Sequence, residues 1–237
     1  MQSALAAVQL LTIAARFNGV SLSPQRLGSA ALYFPLIGLL LGLIVAFLNR
    51  ILEPYLTSEI LAVVHMTALI LMTGALHLEG TQKTFDTLPA GTNFGSATGK
   101  PTGIYGLLAL LLVVLLKIRS VEVIGETRSL SLLLSPVFAR WSLVIFLYGC
   151  ASVAQESIRP IADNVRAWHL FLTTAATLAF AVYLVGRVGL WVGLYLSLFA
   201  LLSRSYLSRR HGGLTYDNFG AIIELSETLS FVLLASL

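Results

Sequence analysis

The sequence predicts an all-α membrane protein: a polytopic helical bundle of about seven transmembrane helices, forming a single integral membrane domain over residues 1–237. Three observations lead there. Of its 237 residues, 57% are hydrophobic and only 11% charged, where soluble domains carry about 25% charged residues. Mean hydropathy is +0.87. Several apolar runs approach the roughly 20 residues a helix needs to cross a bilayer, where open backbone has no water to bond. The net charge of +4 fits basic loops at a membrane surface and makes no case for nucleic acid. A single cysteine, Cys150, excludes an internal disulfide and a cysteine metal site. The chain shows no internal repeat and is short for a transporter built on two. Residues 1–17 lack a basic n-region, Arg16 being the first cation, so they do not read as a signal peptide.

The elements follow in order. Segment 4–17 is apolar but short, and is expected to lie at the interface or to re-enter. Ser23 before Pro24 reads as a helix N-cap with proline in the first turn. Spans are expected at about 30–49, 60–78, 103–118, 131–152, 168–186, 188–207 and 219–237. Gly38 with Gly42, and Gly189 with Gly193, are small-xxx-small pairs that permit close helix contact, although ordinary span glycines look the same. The connection 79–102 is the longest and least apolar. Its run of Gly, Thr and Ser suits a flexible linker, a lid or a cradle of backbone N–H groups, and matches no P-loop.

Seven spans place the N-terminus and the loops 79–102, 153–167 and 203–218 on one side. That side holds Arg16, Arg26, Lys83, Lys100, Arg159, Arg166, Arg204, Arg209 and Arg210. The other holds Arg50, Lys117, Arg119, Arg128 and Arg187. The excess marks the first side as cytoplasmic, which sets the protein in the cell inner membrane with its acidic motifs facing the cytoplasm.

Those motifs are the chemistry-bearing part of the chain. Asp217, Glu224 and Glu227 stand at spacings of seven and three, on roughly one helix face in an apolar stretch. Carboxylates are costly in a bilayer and must face protein, water or a cation. Gly212 and Gly213 permit a sharp turn into that helix, and Thr215 or Asp217 can cap it. The helix N-terminus favours an anion and the glutamates below favour a cation, an arrangement suited to a diphosphate with its metal. The competing arrangement is a plain cap, with the glutamates paired to arginines of a neighbouring helix. The second motif is His77-Leu78-Glu79-Gly80-Thr81-Gln82-Lys83-Thr84-Phe85-Asp86. Its hard oxygen donors, Glu79 and Asp86, suit Mg²⁺. His77 can bond a phosphate or carry a proton, or simply pack at the interface. Lys83 can neutralise a phosphate or pair with Glu79 or Asp86 at the surface. Arg140, deep in an apolar run before Trp141, can grip a phosphate or snorkel. His65 and His169 read as packing residues, and Arg204, Arg209, Arg210 and His211 as a basic anchor.

With those motifs in view, the chain resembles the cobalamin synthase family (adenosylcobinamide-GDP ribazoletransferase) over nearly its whole length. The run Tyr33-Phe34-Pro35-Leu36-Ile37-Gly38 is similar to the family's first span, Thr73-Gly74-Ala75-Leu76-His77-Leu78-Glu79-Gly80 to the start of its acidic motif, and Gly103 with Gly106 to the opening of the next span. Arg140 falls where the family often has arginine. The run Gly212-Gly213-Leu214-Thr215-Tyr216-Asp217-Asn218-Phe219-Gly220-Ala221-Ile222-Ile223-Glu224-Leu225-Ser226-Glu227 follows the family's G-G-x-T-G-D-x-x-G-A-x-x-E-x-x-E, with Tyr216 in place of glycine. In the first motif the family has H-L-D-G-x-x-D-x-x-D-G. Here Glu79 replaces the first aspartate, Lys83 the second and Thr87 the final glycine, and Asp86 is kept; the stretch ending D-x-R-x-G is shortened.

The resemblance implies a transferase that joins adenosylcobinamide-GDP to α-ribazole or its 5′-phosphate and releases GMP. It implies Mg²⁺ held by Glu79, Asp86, Asp217, Glu224 and Glu227, with His77 or Asp86 as base, and Arg140 and Lys83 stabilising charge. Gly212, Gly213 and Thr215 are expected at the phosphates. A catalytically altered paralogue, working as a transporter or as a non-enzymatic membrane partner, is the alternative, supported by Lys83 and the shortened loop. Homo-oligomerisation stays open.

Overall fold

The computed structural model describes residues 2–16, 28–89, 103–150, 152–154 and 158–236. The expected Ser23–Pro24 cap and the Gly/Thr/Ser-rich stretch from 90 to 102, Lys100 included, lie outside them. Among the described residues the protein is a polytopic membrane helical bundle. We number its helices α1 (Gln2–Leu11), α2 (Phe34–Leu52), α3 (Ser58–Thr73), α4 (Leu76–Thr87), α5 (Ile104–Val123), α6 (Arg128–Leu147), α7 (Ala167–Val185), α8 (Arg187–His211) and α9 (Tyr216–Ser236). A single turn, Arg159–Ala162, precedes α7. Among the described residues extended pairing is limited to one bridge between Val153 and Leu214.

Among the described residues six helices are long and apolar enough to cross a membrane; the first is α2 with its leading turn, Gly28–Leu52. The expected span 60–78 is different. It breaks at Gly74 and Ala75, both left-handed with φ of 61° and 58°. The chain leaves α3 and enters α4 at 88°. Counting this bent pair as one span gives the expected seven. Hydropathy alone does not see the break, because Ala75 is apolar and a glycine is tolerated within a span.

Helix α6 is the axis of the bundle. Its apolar window is 89% buried, against 22% for α7. Leu36, Leu40, Phe47, Leu107, Leu111, Phe171 and Leu198 stay exposed on the outer helices, as side chains facing lipid must. Gly38 and Gly42 lie directly against the α6 backbone at Pro136 and Leu133, so α2 and α6 touch with no side chain between them. Gly189 meets Ala181 of α7 in the same way, with its missing Cβ 2.8 Å from the Ala181 carbonyl carbon. Both glycine pairs are therefore contact glycines. The short N-terminal segment packs on the bundle through Ala6, Ala7 and Leu11 of α1, which are buried in the core.

Away from the bend, the α5–α6 connection is tied by Arg128, whose Nε donates to the carbonyls of Val121 and Ile124 at 3.2 and 3.1 Å. Its Nη2 donates to Ser58 Oγ at 2.9 Å. Lys117, expected among the loop cations of that side, lies instead inside the bundle. The loop-charge asymmetry is therefore steeper than the sequence count gives.

Ala75 holds a left-handed conformation that costs an L-residue roughly 1–2 kcal/mol. Ala75→Gly is expected to stabilise the protein by about 1 kcal/mol, net of glycine's greater unfolded freedom, and to raise the melting temperature in detergent. A lower melting temperature would show that the Ala75 methyl contributes packing worth more than the strain.

Candidate active site

The bend positions the acidic helix. Because α4 turns through 88°, it lies across the end of α9 rather than continuing outward. Two glycines let the helices meet backbone to backbone. A Cβ on Gly80 would stand 2.7 Å from the Asp217 carbonyl oxygen, and one on Gly220 would stand 3.0 Å from the His77 carbonyl oxygen. Asn218 fixes the contact further: its Nδ2 donates to Thr84 Oγ1 at 3.1 Å, and its Oδ1 accepts from Thr215 N at 2.9 Å. That second bond is half of a capping box, with Thr215 at the cap of α9.

Where α4, α9, α1 and the start of α2 converge there is a cavity of about 210 Å³. Its polar lining is His77, Glu79, Lys83, Tyr216 and Asp217, and Leu10, Leu11, Phe34 and Leu143 close its apolar walls. Lys83 Nζ donates to Glu79 Oε1 at 2.7 Å and stands 4.0 Å from Asp217 Oδ1. One ammonium thus links the two acidic motifs. His77 is 4% exposed, and its Nε2 has no hydrogen-bond partner among the described residues.

Behind His77 lies a second polar centre. Lys117 Nζ bonds Glu224 and reaches Glu227 Oε1 at 2.9 Å, and Arg140 bonds the other oxygen of Glu227. All four side chains are buried. Two cations meet two anions, so the group carries no net charge where the low dielectric would penalise one heavily. A void of about 10 Å³, room for a single water, lies among these residues and His77. His77 therefore lines both the cavity and the charged centre.

The remaining expected site residues sit elsewhere. Asp86 Oδ1 accepts from Gly106 N at 2.8 Å, capping the first turn of α5 from outside, and does not line the cavity. Gly212 closes α8 in a left-handed C-cap with φ of 71°. A Cβ on Gly213 would fall 2.6 Å from Ala154 N, so its need is contact with the Val153–Leu214 bridge. Arg210 donates to the carbonyls of Leu88 at 2.6 Å and Pro89 at 3.0 Å, while His211 Nε2 bonds Thr87 Oγ1 at 3.2 Å. The basic end of α8 thus caps the C-terminus of α4. Arg204 bonds the Tyr148 carbonyl. His65 is buried, and His169 Nδ1 accepts from Arg166 N at the start of α7.

The five acids expected to form one metal shell are thus divided among three places. Glu79 and Asp217 share Lys83, Asp86 caps α5, and Glu224 with Glu227 pairs with Lys117 and Arg140. Among the described residues no three of His, Cys, Asp and Glu gather as a metal site. Mg²⁺ commonly binds one or two carboxylates and completes its shell with water and substrate phosphate. Glu79 and Asp217, both at the cavity and both within reach of one cation, fit that demand. Glu224 and Glu227, each already bonded to a buried cation, do not. Sequence reasoning missed Lys117 and Asn218. Lys117 sits near the end of an apolar run, where a loop cation looks identical. Asn218 had a usable signal, since it stands three residues after Thr215, at the reciprocal position of a capping box.

The sequence model of the family described as cobalamin-5-phosphate synthase matches residues 3–235. Among curated proteins, an adenosylcobinamide-GDP ribazoletransferase of Pseudomonas paraeruginosa is 32% identical over 250 aligned positions, covering 99% of this chain and 98% of that protein. One from Syntrophobacter fumaroxidans is 32% identical, covering 88% and 87%. One from Geotalea daltonii is 29% identical, covering 90% and 88%. No solved structure matches the chain.

The charged centre makes a testable demand of its own. Lys117→Met leaves an excess buried anion and is expected to destabilise the protein by roughly 3–5 kcal/mol. Lys117→Met with Glu224→Gln restores neutrality and should recover much of that loss, as read from denaturation in detergent. A double variant as unstable as the sum of the two singles would show the four charges to be independent.

Proposed function

The chain belongs to the cobalamin-5-phosphate synthase family, and on that footing we propose that it joins adenosylcobinamide-GDP to α-ribazole, or its 5′-phosphate, with release of GMP. The observation that carries the proposal is the cavity in which one ammonium, two carboxylates and an unpartnered buried histidine converge. At about 210 Å³ it is smaller than the roughly 300–1,000 Å³ of sites that enclose a whole drug-sized ligand. It suits the diphosphate and the attacking hydroxyl, with the corrinoid and guanosine extending beyond it.

The family's reaction assigns the lining residues their roles. The acceptor's 5′-hydroxyl attacks the cobinamide-side phosphorus, a new P–O bond forms, and the bond to the GMP oxygen breaks. His77 Nε2 takes the hydroxyl proton. It suits that role because it is buried at the cavity wall with no competing partner. Lys83 holds the diphosphate by charge. Arg140 acts at one remove: through Glu227 it fixes the charged centre behind His77. The structure gives Asp86 a capping bond instead of a place in the cavity, so we assign the proton transfer to His77. Glu79 and Asp217 are the residues that would hold Mg²⁺, which would supply charge neutralisation at the diphosphate.

The site opens on the side that carries Arg209 and Arg210, which the loop charges mark as cytoplasmic in a cell inner membrane. With Cys150 replaced, cysteines at Arg209 and Glu126, both exposed, are expected to label from opposite faces of sealed vesicles, Arg209 from the cytoplasmic one. Labelling of both from one face would overturn that topology.

The reaction is tested with purified protein, adenosylcobinamide-GDP, α-ribazole and Mg²⁺, following GMP. Turnover is expected in the wild type, with a fall of about 10²–10⁴-fold in His77→Ala, the usual range for losing a general base. Asp217→Asn and chelation of the metal should each abolish most of it. No GMP from folded wild-type protein would overturn the transferase reading.

A further inference from the structure

We propose that the Lys83 ammonium is a resident cation that occupies the Glu79–Asp217 pair, and that a divalent metal enters only once a diphosphate has drawn the ammonium away. The inference deepens the proposed function and rests on the diphosphate binding in this cavity.

The geometry carries it. Glu79 and Asp217 come from different helices, and Lys83 Nζ is the atom they share, at 2.7 and 4.0 Å. Both carboxylates line the cavity. An oxygen-seeking metal between them would meet a positive charge at close range, so metal and ammonium exclude each other. A second observation stands beside it: His77, a buried residue whose Nε2 has no hydrogen-bond partner among the described residues, lines the same cavity.

The exchange is cheap. The Lys83 side chain is 52% exposed and its partner Glu79 is 49% exposed, one helical turn away. Such pairs are worth little in water. The lysine's four-carbon stem lets Nζ swing without backbone motion. Ammonium and two carboxylates sum to one negative charge. A metal added to that set meets repulsion from Lys83, whereas a metal added with a diphosphate meets excess negative charge. The lysine then bonds phosphate, and the carboxylates are released to the metal. Substrate and metal therefore bind interdependently, and the wild type holds metal weakly when alone.

The test uses the full-length protein in detergent and Mn²⁺ as a spectroscopic substitute, reading bound metal by electron paramagnetic resonance without any turnover. Lys83→Met is expected to bind Mn²⁺ about tenfold more tightly than the wild type in the absence of nucleotide, the change that removal of one close, partly screened charge supplies. Lys83→Arg, which keeps the charge, should stay near the wild type. Adding Glu79→Gln to Lys83→Met should remove the gain and so locate the metal. In a second arm, without metal, GDP should bind the wild type and bind Lys83→Met several-fold more weakly. Lys83→Gln replaces Lys83→Met if the latter fails to fold. Equal Mn²⁺ affinity in wild type and Lys83→Met overturns the exchange. Mn²⁺ binding by no variant, together with no GDP binding by the wild type, overturns instead the reading of the cavity as the diphosphate site.

Discussion

Glu224 and Glu227 sit where a bilayer-embedded protein can least tolerate bare charge, and their neutralisation by Lys117 and Arg140 organises the rest. The four side chains come from α5, α6 and α9, so the electrostatic requirement doubles as a packing requirement. Helix α6 can be the buried axis because its one deep arginine is met by Glu227. Helix α9 can pass beside it because its glutamates are met from both sides. Removing one charge leaves its partner stranded in low dielectric, so the register of three helices depends on one closed group of charges.

On that platform the cavity face is set by backbone contact. The left-handed pair Gly74–Ala75 swings α4 across the bundle, and Gly80 against Gly220 lets it approach α9 with no side chain between. These contacts bring Glu79 and Lys83 to Asp217. Small residues and a strained turn thus do for the site what the charged group does for the bundle. The two levels differ: Glu224 and Glu227 hold helices together, and Glu79 and Asp217 face the cavity.

Much of the fold was legible because a bilayer imposes a length on each apolar run, and six of the seven expected spans coincide with long helices. The contact glycines were legible as a spacing but not as an outcome, since Gly38 and Gly42 look the same whether or not a partner lies against them. The break at Gly74–Ala75 was hidden by apolar composition. The acids were easy to find and hard to assign. A carboxylate in a span announces that a counter-charge exists, yet says nothing of whether that charge is a metal or a lysine from a helix more than a hundred positions earlier. Lys117 was invisible for the converse reason, as a cation near the end of a run reads as a loop anchor. Asp86 shows the limit of motif reasoning: family spacing places it beside Glu79, while the geometry turns it to the first turn of α5.

The bonds around the end of α4 have a consequence for how this chain can vary. Arg210 and His211 hold Leu88, Pro89 and Thr87 on one flank, and Asp86 holds Gly106 on the other. The end of α4 is therefore fastened both to the end of α8 and to the first turn of α5. A substitution at Arg210 or His211 is thus felt at the end of α4, more than a hundred positions back along the chain.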